Sequence, residues 1–123
     1  MKPFPKELHL ILEKLKKLNL YKVILFGSLA YGQPDKDSDI DLIVVSNDDF
    51  FPKNYQEKSA LYLKVSNTLS DLAGKIPIDL IVYTKSMYIK FIQLGSLFSK
   101  EIIQNGVVLY ETDQKGMAEQ SQR

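Results

Sequence analysis

Residues 25–45 read LFGSLAYGQPDKDSDIDLIVV, and this stretch decides the fold that we expect. An apolar run at residues 21–26 ends at a Gly-Ser pair, and a second apolar run at residues 39–45 follows a polar break. Short β-branched runs bounded by Gly, Pro and Asp are typical of strands joined by turns. We therefore predict two strands, with a short helix at residues 27–31 after the first.

Acidic residues stand at matching places in two of the predicted strands. Asp39 and Asp41 are two residues apart, so their side chains face the same way, with α-carbons roughly 6.5–7 Å apart at a rise of ~3.3 Å per residue. Asp79 lies in a third apolar run, PIDLIVY, where an acid is costly unless it is paired or bound to a metal. Mg²⁺ prefers one or two carboxylates together with water and phosphate oxygens. The three acids therefore predict a magnesium site.

The Gly-Ser pair predicts a phosphate site just ahead of these acids. Backbone N–H groups at the start of a helix are unpaired and favour an anion. Gly27 lets the backbone approach a phosphate closely, and the Ser28 hydroxyl can bond a phosphate oxygen. A phosphate turn beside a magnesium site indicates nucleotide chemistry.

The rest of the chain alternates helical and strand patterns. Apolar residues at three- and four-residue steps predict a helix near residues 8–18, and a similar stripe predicts one across 55–73. Further strands are expected at 76–83 and 107–110, and helices at 86–94 and 96–105. We expect a single α/β domain at residues 1–110, with helices covering a sheet, and a polar, frayed tail at 111–123.

Composition excludes several classes of function. The formal net charge is +1, which does not favour nucleic acid as a partner. The chain has no cysteine and one histidine, so disulfides, thiolate zinc sites and His-rich metal sites are excluded. Its apolar runs are shorter than the ~20 residues of a membrane span, and residues 1–10 contain no signal-peptide core. We therefore expect a cytoplasmic protein that does not insert in a membrane.

Two other motifs within the opening stretch fail at specific positions. Residues 27–32 fit the start of a P-loop, but Gln33 and Pro34 stand where the motif requires Lys and Ser or Thr. Acids from residue 35 onward imitate an EF-hand loop, but Ile40 replaces its glycine and Ser46 replaces its glutamate. Neither motif is predicted.

The combined pattern resembles the nucleotidyltransferase superfamily of DNA polymerase β type, and within it the minimal nucleotidyltransferases. The resemblance covers roughly residues 18–110 and is carried by Gly27, Ser28, Gly32, Ser38, Asp39, Asp41, Leu42 and Asp79. It implies a polymerase β-like palm fold, a small mixed sheet flanked by helices. The residue pattern alone leaves open whether the sheet is parallel or mixed.

The resemblance also implies an activity. Asp39, Asp41 and Asp79 would be catalytic and hold two Mg²⁺ ions, while Gly27, Ser28 and Ser38 would bind the phosphates of ATP. Proteins of this size resemble antitoxins that transfer AMP to a tyrosine of a helical HEPN ribonuclease. The expected function is therefore Mg²⁺-dependent AMP transfer from ATP to a hydroxyl of such a partner.

One position departs from the family pattern. Minimal nucleotidyltransferases often carry an arginine where this chain has Tyr31, and the only arginine here is Arg123. The lysines that might replace it as point charges are Lys36, Lys75 and Lys85. Two alternatives stay open: a non-catalytic module that neutralises a partner by contact, and a small-molecule nucleotidyltransferase, of aminoglycoside type, completed by homo-oligomerisation.

Overall fold

The computed structural model describes residues 6–31 and 39–112, in which helices and strands alternate as predicted. The elements are α1 (Lys6–Leu15), β1 (Leu20–Phe26), α2 (Gly27–Ala30), β2 (Ile40–Ser46), α3 (Tyr55–Thr68), α4 (Ser70–Ala73), β3 (Ile78–Thr84), α5 (Lys85–Leu94), α6 (Leu97–Asn105) and β4 (Val107–Glu111). None of the helices in these ranges is both long and apolar enough to cross a membrane.

The four strands form one sheet in the order β3-β2-β1-β4. β1 is antiparallel to both β2 and β4, whereas β2 and β3 are parallel. The sheet is therefore mixed, as the family resemblance implies. The parallel register pairs Asp41 with Asp79, and the antiparallel register pairs Asp41 with Phe26. Because β2 lies between β1 and β3, it brings the end of β1 and the start of β3 to the same acid.

Both faces of the sheet are covered, which explains why β1 and β2 read as nearly continuous apolar runs. On one face, α1 and α3 pack on Val23, Leu25, Leu42 and Val44. On the other face, α5 and α6 pack on a second cluster centred on Ile24, Ile43, Val45, Tyr88 and Ile102. Side chains alternate between the two faces along β2, so Asp41 lies on the face covered by α5 and α6. It stands at the end of the strand where this cluster meets solvent.

The amphipathic pattern of the first helix is realised in α1. Leu8, Ile11 and Leu15 are buried, whereas Leu10 and His9 on the opposite side are exposed. The steps of three and four residues place the buried leucines and isoleucine on one stripe. His9, the one histidine of the chain, therefore lies on the polar face of the helix.

The single helix expected across residues 55–73 is instead two helices, α3 and α4, because the α-helical hydrogen bonding is interrupted at Leu69. The Leu69 N–H donates to the Ser66 carbonyl at 3.0 Å, a tighter pattern than the α-helical one. Just before it, the Thr68 hydroxyl donates to the Lys64 carbonyl at 3.0 Å, and such back-bonding bends helices. Leu69 is buried at this bend and so contributes to the core.

The predicted strand boundaries shift by one or two residues. β2 starts at Ile40, whose N–H donates to the Pro77 carbonyl at 2.9 Å, so Asp39 precedes the strand. β3 starts at Ile78 and not at Ile76, since the Ile76 N–H is taken by the last helical turn before it. β4 extends to Glu111, beyond the expected residues 107–110, while residues 113–123 of the expected tail lie outside the described part of the chain.

Candidate active site at the Gly27 turn and the Asp41–Asp79 pair

The turn after β1 brings the backbone directly against a carboxylate. Gly27 adopts φ +76°, a left-handed conformation that favours glycine, and a β-carbon placed there would lie 2.0 Å from Asp41 Oδ2. The short helix α2 then starts, and the Tyr31 N–H donates to the Gly27 carbonyl at 3.1 Å. Residue 27 therefore fits between β1 and Asp41 only as glycine. The sequence motif placed this glycine near the acids, and the structure puts it in contact with one of them.

Asp41 and Asp79 are lateral neighbours on the parallel strands β2 and β3. Adjacent strands lie ~4.8 Å apart, so the two carboxyl groups share one small region at the edge of the sheet. Asp41 is half-buried and Asp79 is exposed, and they lie close enough for a protonated Asp41 carboxyl to donate a hydrogen bond to Asp79. Asp39 stands just ahead of β2, is exposed, and is close enough for its charge to act on Asp41.

The electrostatics of this group reflect crowded negative charge. Burial raises the pKa of the Asp41 carboxyl, and the charges of Asp79 and Asp39, together with the hydrogen bond that its protonated form donates to Asp79, raise it further. Each of these causes disfavours the ionised form. In the described part of the chain the ion pairs are Lys14–Asp71 and Lys22–Glu111, neither of which involves these acids. A bound cation would relieve the repulsion.

Carboxylates in this arrangement fit Mg²⁺ as partial ligands. Within residues 6–31 and 39–112, no three His, Cys, Asp or Glu side chains form a ready-made metal cluster. Mg²⁺ does not require one, since it keeps several waters and is bound through one or two carboxylates plus substrate phosphates. The adjacent, hard oxygen ligands of Asp41 and Asp79 meet that requirement, and Asp39 is the nearest further ligand.

The predicted phosphate ligands are only partly within the described residues. Gly27 and Ser28 open α2 at the edge of the site, where Ser28 is half-buried. Ser38 and Gly32 fall in residues 32–38, outside the described part of the chain. Ser38 as a phosphate ligand therefore stays a prediction.

Tyr31, which stands at the position of the family's arginine, interacts with an acid that the sequence did not single out. Burial raises the pKa of the Tyr31 hydroxyl, and its hydrogen bond with the Glu101 carboxylate and the charges of Glu101 and Asp41 raise it further, against a lowering by the backbone of Gly27. The neutral hydroxyl is thus held as a donor to Glu101. An exposed acid in a helix has no sequence signal of its own, and only the packing of α6 beside α2 reveals it.

Aromatic rings hold α6 against the turn. Phe98 of α6 meets Phe26, the residue before Gly27, edge-on with centroids 5.5 Å apart. Phe91 continues the cluster, 5.6 Å from Phe98 and 5.2 Å from Tyr83. Edge-to-face and tilted pairs at such distances stabilise packing beyond simple burial. Tyr83, Tyr88 and Phe91 therefore serve core packing.

The lysines considered as substitutes for the missing arginine lie in different places. Lys85 follows the far end of β3, and its Nζ lies 5.2 Å from the Tyr21 ring centroid, a cation–π contact remote from Asp79. Lys75 lies in the turn that leads into β3, at the end of the strand where Asp79 stands. Lys36 is outside the described residues. The charge of Lys75 acts on the exposed carboxylate of Asp71 in α4.

Sequence comparison matches residues 7–115 to the family described as polymerase beta, nucleotidyltransferase. No curated protein matches the chain.

Three solved structures share the fold. A protein from Sulfolobus solfataricus described as a candidate nucleotidyltransferase is 22% identical, with a TM-score of 0.57 over 89% of this chain and 81% of the other. A toxin–antitoxin structure with AMP-PNP is 22% identical, with a TM-score of 0.53 over 85% of this chain and 73% of the other. A mutant of the toxin–antitoxin MntA–HpeT is 19% identical, with a TM-score of 0.52 over 86% and 74%.

Proposed function

Because the chain belongs to the polymerase β nucleotidyltransferase family, we propose that it transfers AMP from ATP to a hydroxyl group of a partner protein. The observation that carries the proposal is the contact of the Gly27 backbone with Asp41, which is itself in register with Asp79. This places a narrow backbone turn next to two carboxylates. If the fold lacked a turn packed against the acids, it would support a proposal of nucleotide binding but not one of AMP transfer.

In the proposed reaction the acceptor hydroxyl oxygen attacks the α-phosphorus of ATP. The bond from that phosphorus to the β-phosphate oxygen breaks, so AMP becomes attached to the acceptor and pyrophosphate leaves. The proton of the acceptor hydroxyl passes to the Asp79 carboxylate, which is the more exposed of the paired acids. Gly27 and Ser28 hold the phosphates in line for this attack.

Asp39, Asp41 and Asp79 are the residues that would hold magnesium, with two ions expected. Bound Mg²⁺ would neutralise the phosphates and stabilise the entering and leaving oxygens. The raised pKa of the Asp41 carboxyl supports this role, since burial and the charges of Asp79 and Asp39 disfavour its ionised form and a bound cation would offset both effects. The tight fit of Gly27 keeps the Asp41 carboxylate in place for that purpose.

The partner is proposed from the resemblance and from the fold neighbours. Two of the structures that share the fold are toxin–antitoxin proteins, and one of these contains AMP-PNP. Their likeness to this chain supports a nucleotide as donor and a toxin as partner. We propose that the chain is the antitoxin and that the acceptor is a tyrosine of a helical HEPN-type protein.

The decisive experiment uses α-labelled ATP, Mg²⁺ and the protein encoded beside this one. The wild-type chain is compared with an Asp39→Ala/Asp41→Ala variant of the same fold. Label that appears on the partner with wild type and is absent with the variant supports the proposal. Absence of label with both, while partner and chain form a stable complex, contradicts it. Label on an added aminoglycoside would instead assign a small-molecule acceptor.

A second candidate function is neutralisation of the partner by contact alone. It is favoured by one observation: Tyr31, bonded to Glu101, occupies the place of an arginine that would otherwise contact the phosphates. Toxin activity is measured with the Asp39→Ala/Asp41→Ala variant present in excess. If that variant still suppresses the toxin, contact is sufficient and transfer is dispensable.

A further inference from the structure

We propose that Glu101 is a specificity-determining residue that, through Tyr31, weakens the hold of the site on the triphosphate of ATP. The inference rests on the proposed function, since it assumes that phosphates enter at the Gly27 turn. It goes beyond that function by assigning a role to α6, a helix whose sequence carries no nucleotide-binding motif.

The position of Glu101 follows from how α6 packs. Phe98 contacts Phe26 at 5.5 Å between centroids, and Phe26 directly precedes Gly27. Glu101 comes three residues after Phe98, so it lies on the same face of the helix, one turn further along. That face is the one turned to the phosphate turn. The contact between Phe98 and Phe26 therefore brings Glu101 close to the Gly27 turn.

Tyr31 connects Glu101 to the turn. Its backbone N–H donates to the Gly27 carbonyl at 3.1 Å, and its side chain, 36% exposed, is hydrogen-bonded with Glu101. While the hydroxyl donates to Glu101, it is not available as a donor to a phosphate oxygen. Where the family resemblance implies an arginine, this chain therefore has the hydroxyl of Tyr31, which already interacts with the Glu101 carboxylate.

The charge of Glu101 adds to that of the three aspartates. The charges of Glu101 and Asp41 both act on Tyr31, so both acids lie near this residue. Neither of the ion pairs in the described ranges includes Glu101. An incoming triphosphate therefore meets an additional negative charge near the Gly27 turn.

The first test is Glu101→Gln, which keeps the shape and the acceptor oxygen and removes the charge. We expect the Kd for MgATP to fall roughly three- to tenfold at low salt, the size expected of one charge acting at partly solvated range. The Kd for adenosine should not change, because adenosine carries no phosphate. The gain should shrink as salt is raised.

Glu13→Gln is the matched control, since Glu13 is an exposed acid on α1, which packs on the other face of the sheet. It changes the net charge equally and should leave the Kd for MgATP unchanged. Equal gains from Glu101→Gln and Glu13→Gln would overturn the proposal, as would an equal change for MgATP and adenosine. A Glu101→Gln variant that binds MgATP no better than wild type would also overturn it.

The second test asks whether Glu101 acts through residue 31. Tyr31→Arg restores a guanidinium, but Glu101 should draw it into an ion pair away from phosphate. The double variant Tyr31→Arg/Glu101→Gln should therefore tighten MgATP binding by more than the product of the two single effects. Effects that simply multiply would overturn the coupling.

Thermal unfolding of each variant shows whether it is folded at the assay temperature. The tests of Glu101 measure the Kd for MgATP, so their outcome does not depend on whether AMP is transferred. Loss of label transfer to the partner, with the Glu101 effects intact, would refute the proposed function and leave this inference standing.

Discussion

Gly27 and Asp41 are packed so closely that a β-carbon on the glycine would lie 2.0 Å from the Asp41 Oδ2 atom. The contact joins the two halves of the candidate site, since Gly27 belongs to the turn that we propose binds phosphate and Asp41 to the acidic pair. It exists because β1 and β2 are antiparallel neighbours with Phe26 opposite Asp41. The position of one carboxylate is thus tied to the conformation of one turn.

We expect Gly27→Ala to lose both stability and transfer activity. A left-handed alanine costs about 1–2 kcal/mol, which corresponds to a Tm lower by roughly 3–12 °C for a domain of this size. In addition, the new methyl group must push the Asp41 carboxylate away. Thermal unfolding and labelled-ATP transfer, measured together, check this.

Gly95→Ala separates the two effects. Gly95 also has a left-handed φ of +64°, but nothing lies within 4 Å of the place where its β-carbon would be. The same strain is therefore introduced without touching Asp41. We expect a similar loss of Tm with transfer retained. Equal activity losses in both variants would show that the Gly27–Asp41 contact has no functional weight.

We expect Asp41→Asn to stabilise the fold while abolishing transfer. Asp41 lies beside Asp79 on paired strands, and like charges so placed are destabilising. The raised pKa of Asp41 has the same sign, because a raised carboxyl pKa means that ionisation at neutral pH opposes folding. In EDTA the Tm of the variant should exceed that of wild type, and transfer should fall on the order of 10²-fold or more.

The effect of Mg²⁺ on the Tm tests whether Asp41 is a metal ligand. Added Mg²⁺ should raise the Tm of wild type and have little effect on Asp41→Asn, since one ligand is gone. Asp49→Asn, a change of an exposed acid in the loop after β2, is the control. It should keep the magnesium response of wild type. An unchanged response in Asp41→Asn would argue against Asp41 as a ligand.

The packing of α1 predicts a contrast between two neighbouring residues. Ile11 is fully buried against the sheet, whereas Leu10 is 50% exposed. Ile11→Ala should lower the free energy of unfolding by about 2–5 kcal/mol. Leu10→Ala should change it by less than about 0.5 kcal/mol. Denaturant unfolding monitored by circular dichroism checks both, and similar losses would contradict the packing of this helix.

The start of α5 predicts a cost for losing one hydroxyl. Thr84 is fully buried, and its hydroxyl accepts the Met87 N–H at 3.1 Å as the N-cap of the helix. Thr84→Val keeps the shape but removes the acceptor, and should cost about 1–2 kcal/mol.

Thr68→Val is the matched control in the same urea unfolding measurement. The Thr68 hydroxyl donates to the Lys64 carbonyl within α3 and caps no helix. We expect its effect to be within about 0.5 kcal/mol. A Thr84→Val variant as stable as Thr68→Val would show that the cap is not needed to hold α5.

Much of the fold follows from local pattern. The alternation of strands and helices could be predicted because apolar residues recur with a period of two residues in strands and of 3.6 residues in helices. The break at Leu69 could not, since it depends on the Thr68 hydroxyl competing for a carbonyl within an otherwise regular stripe. The start of β3 was placed two residues early because Ile76 is apolar and buried, although its N–H closes a helical turn.

The sequence by itself determined the chemistry of the candidate site. Residue types and spacing identify Gly27, Asp41 and Asp79, because a strand period places acids on one face and a Gly-Ser pair marks a turn. Tyr31 as a departure from the family pattern is likewise visible in the sequence.

Only the tertiary structure decided which of these residues touch and what surrounds them. Strand register, which joins residues far apart in the chain, sets Asp41 beside Asp79 and against Gly27. Helix packing, through Phe98 on Phe26, brings Glu101 to Tyr31. These contacts depend on hydrogen bonds and apolar packing between distant segments, and no local pattern specifies them.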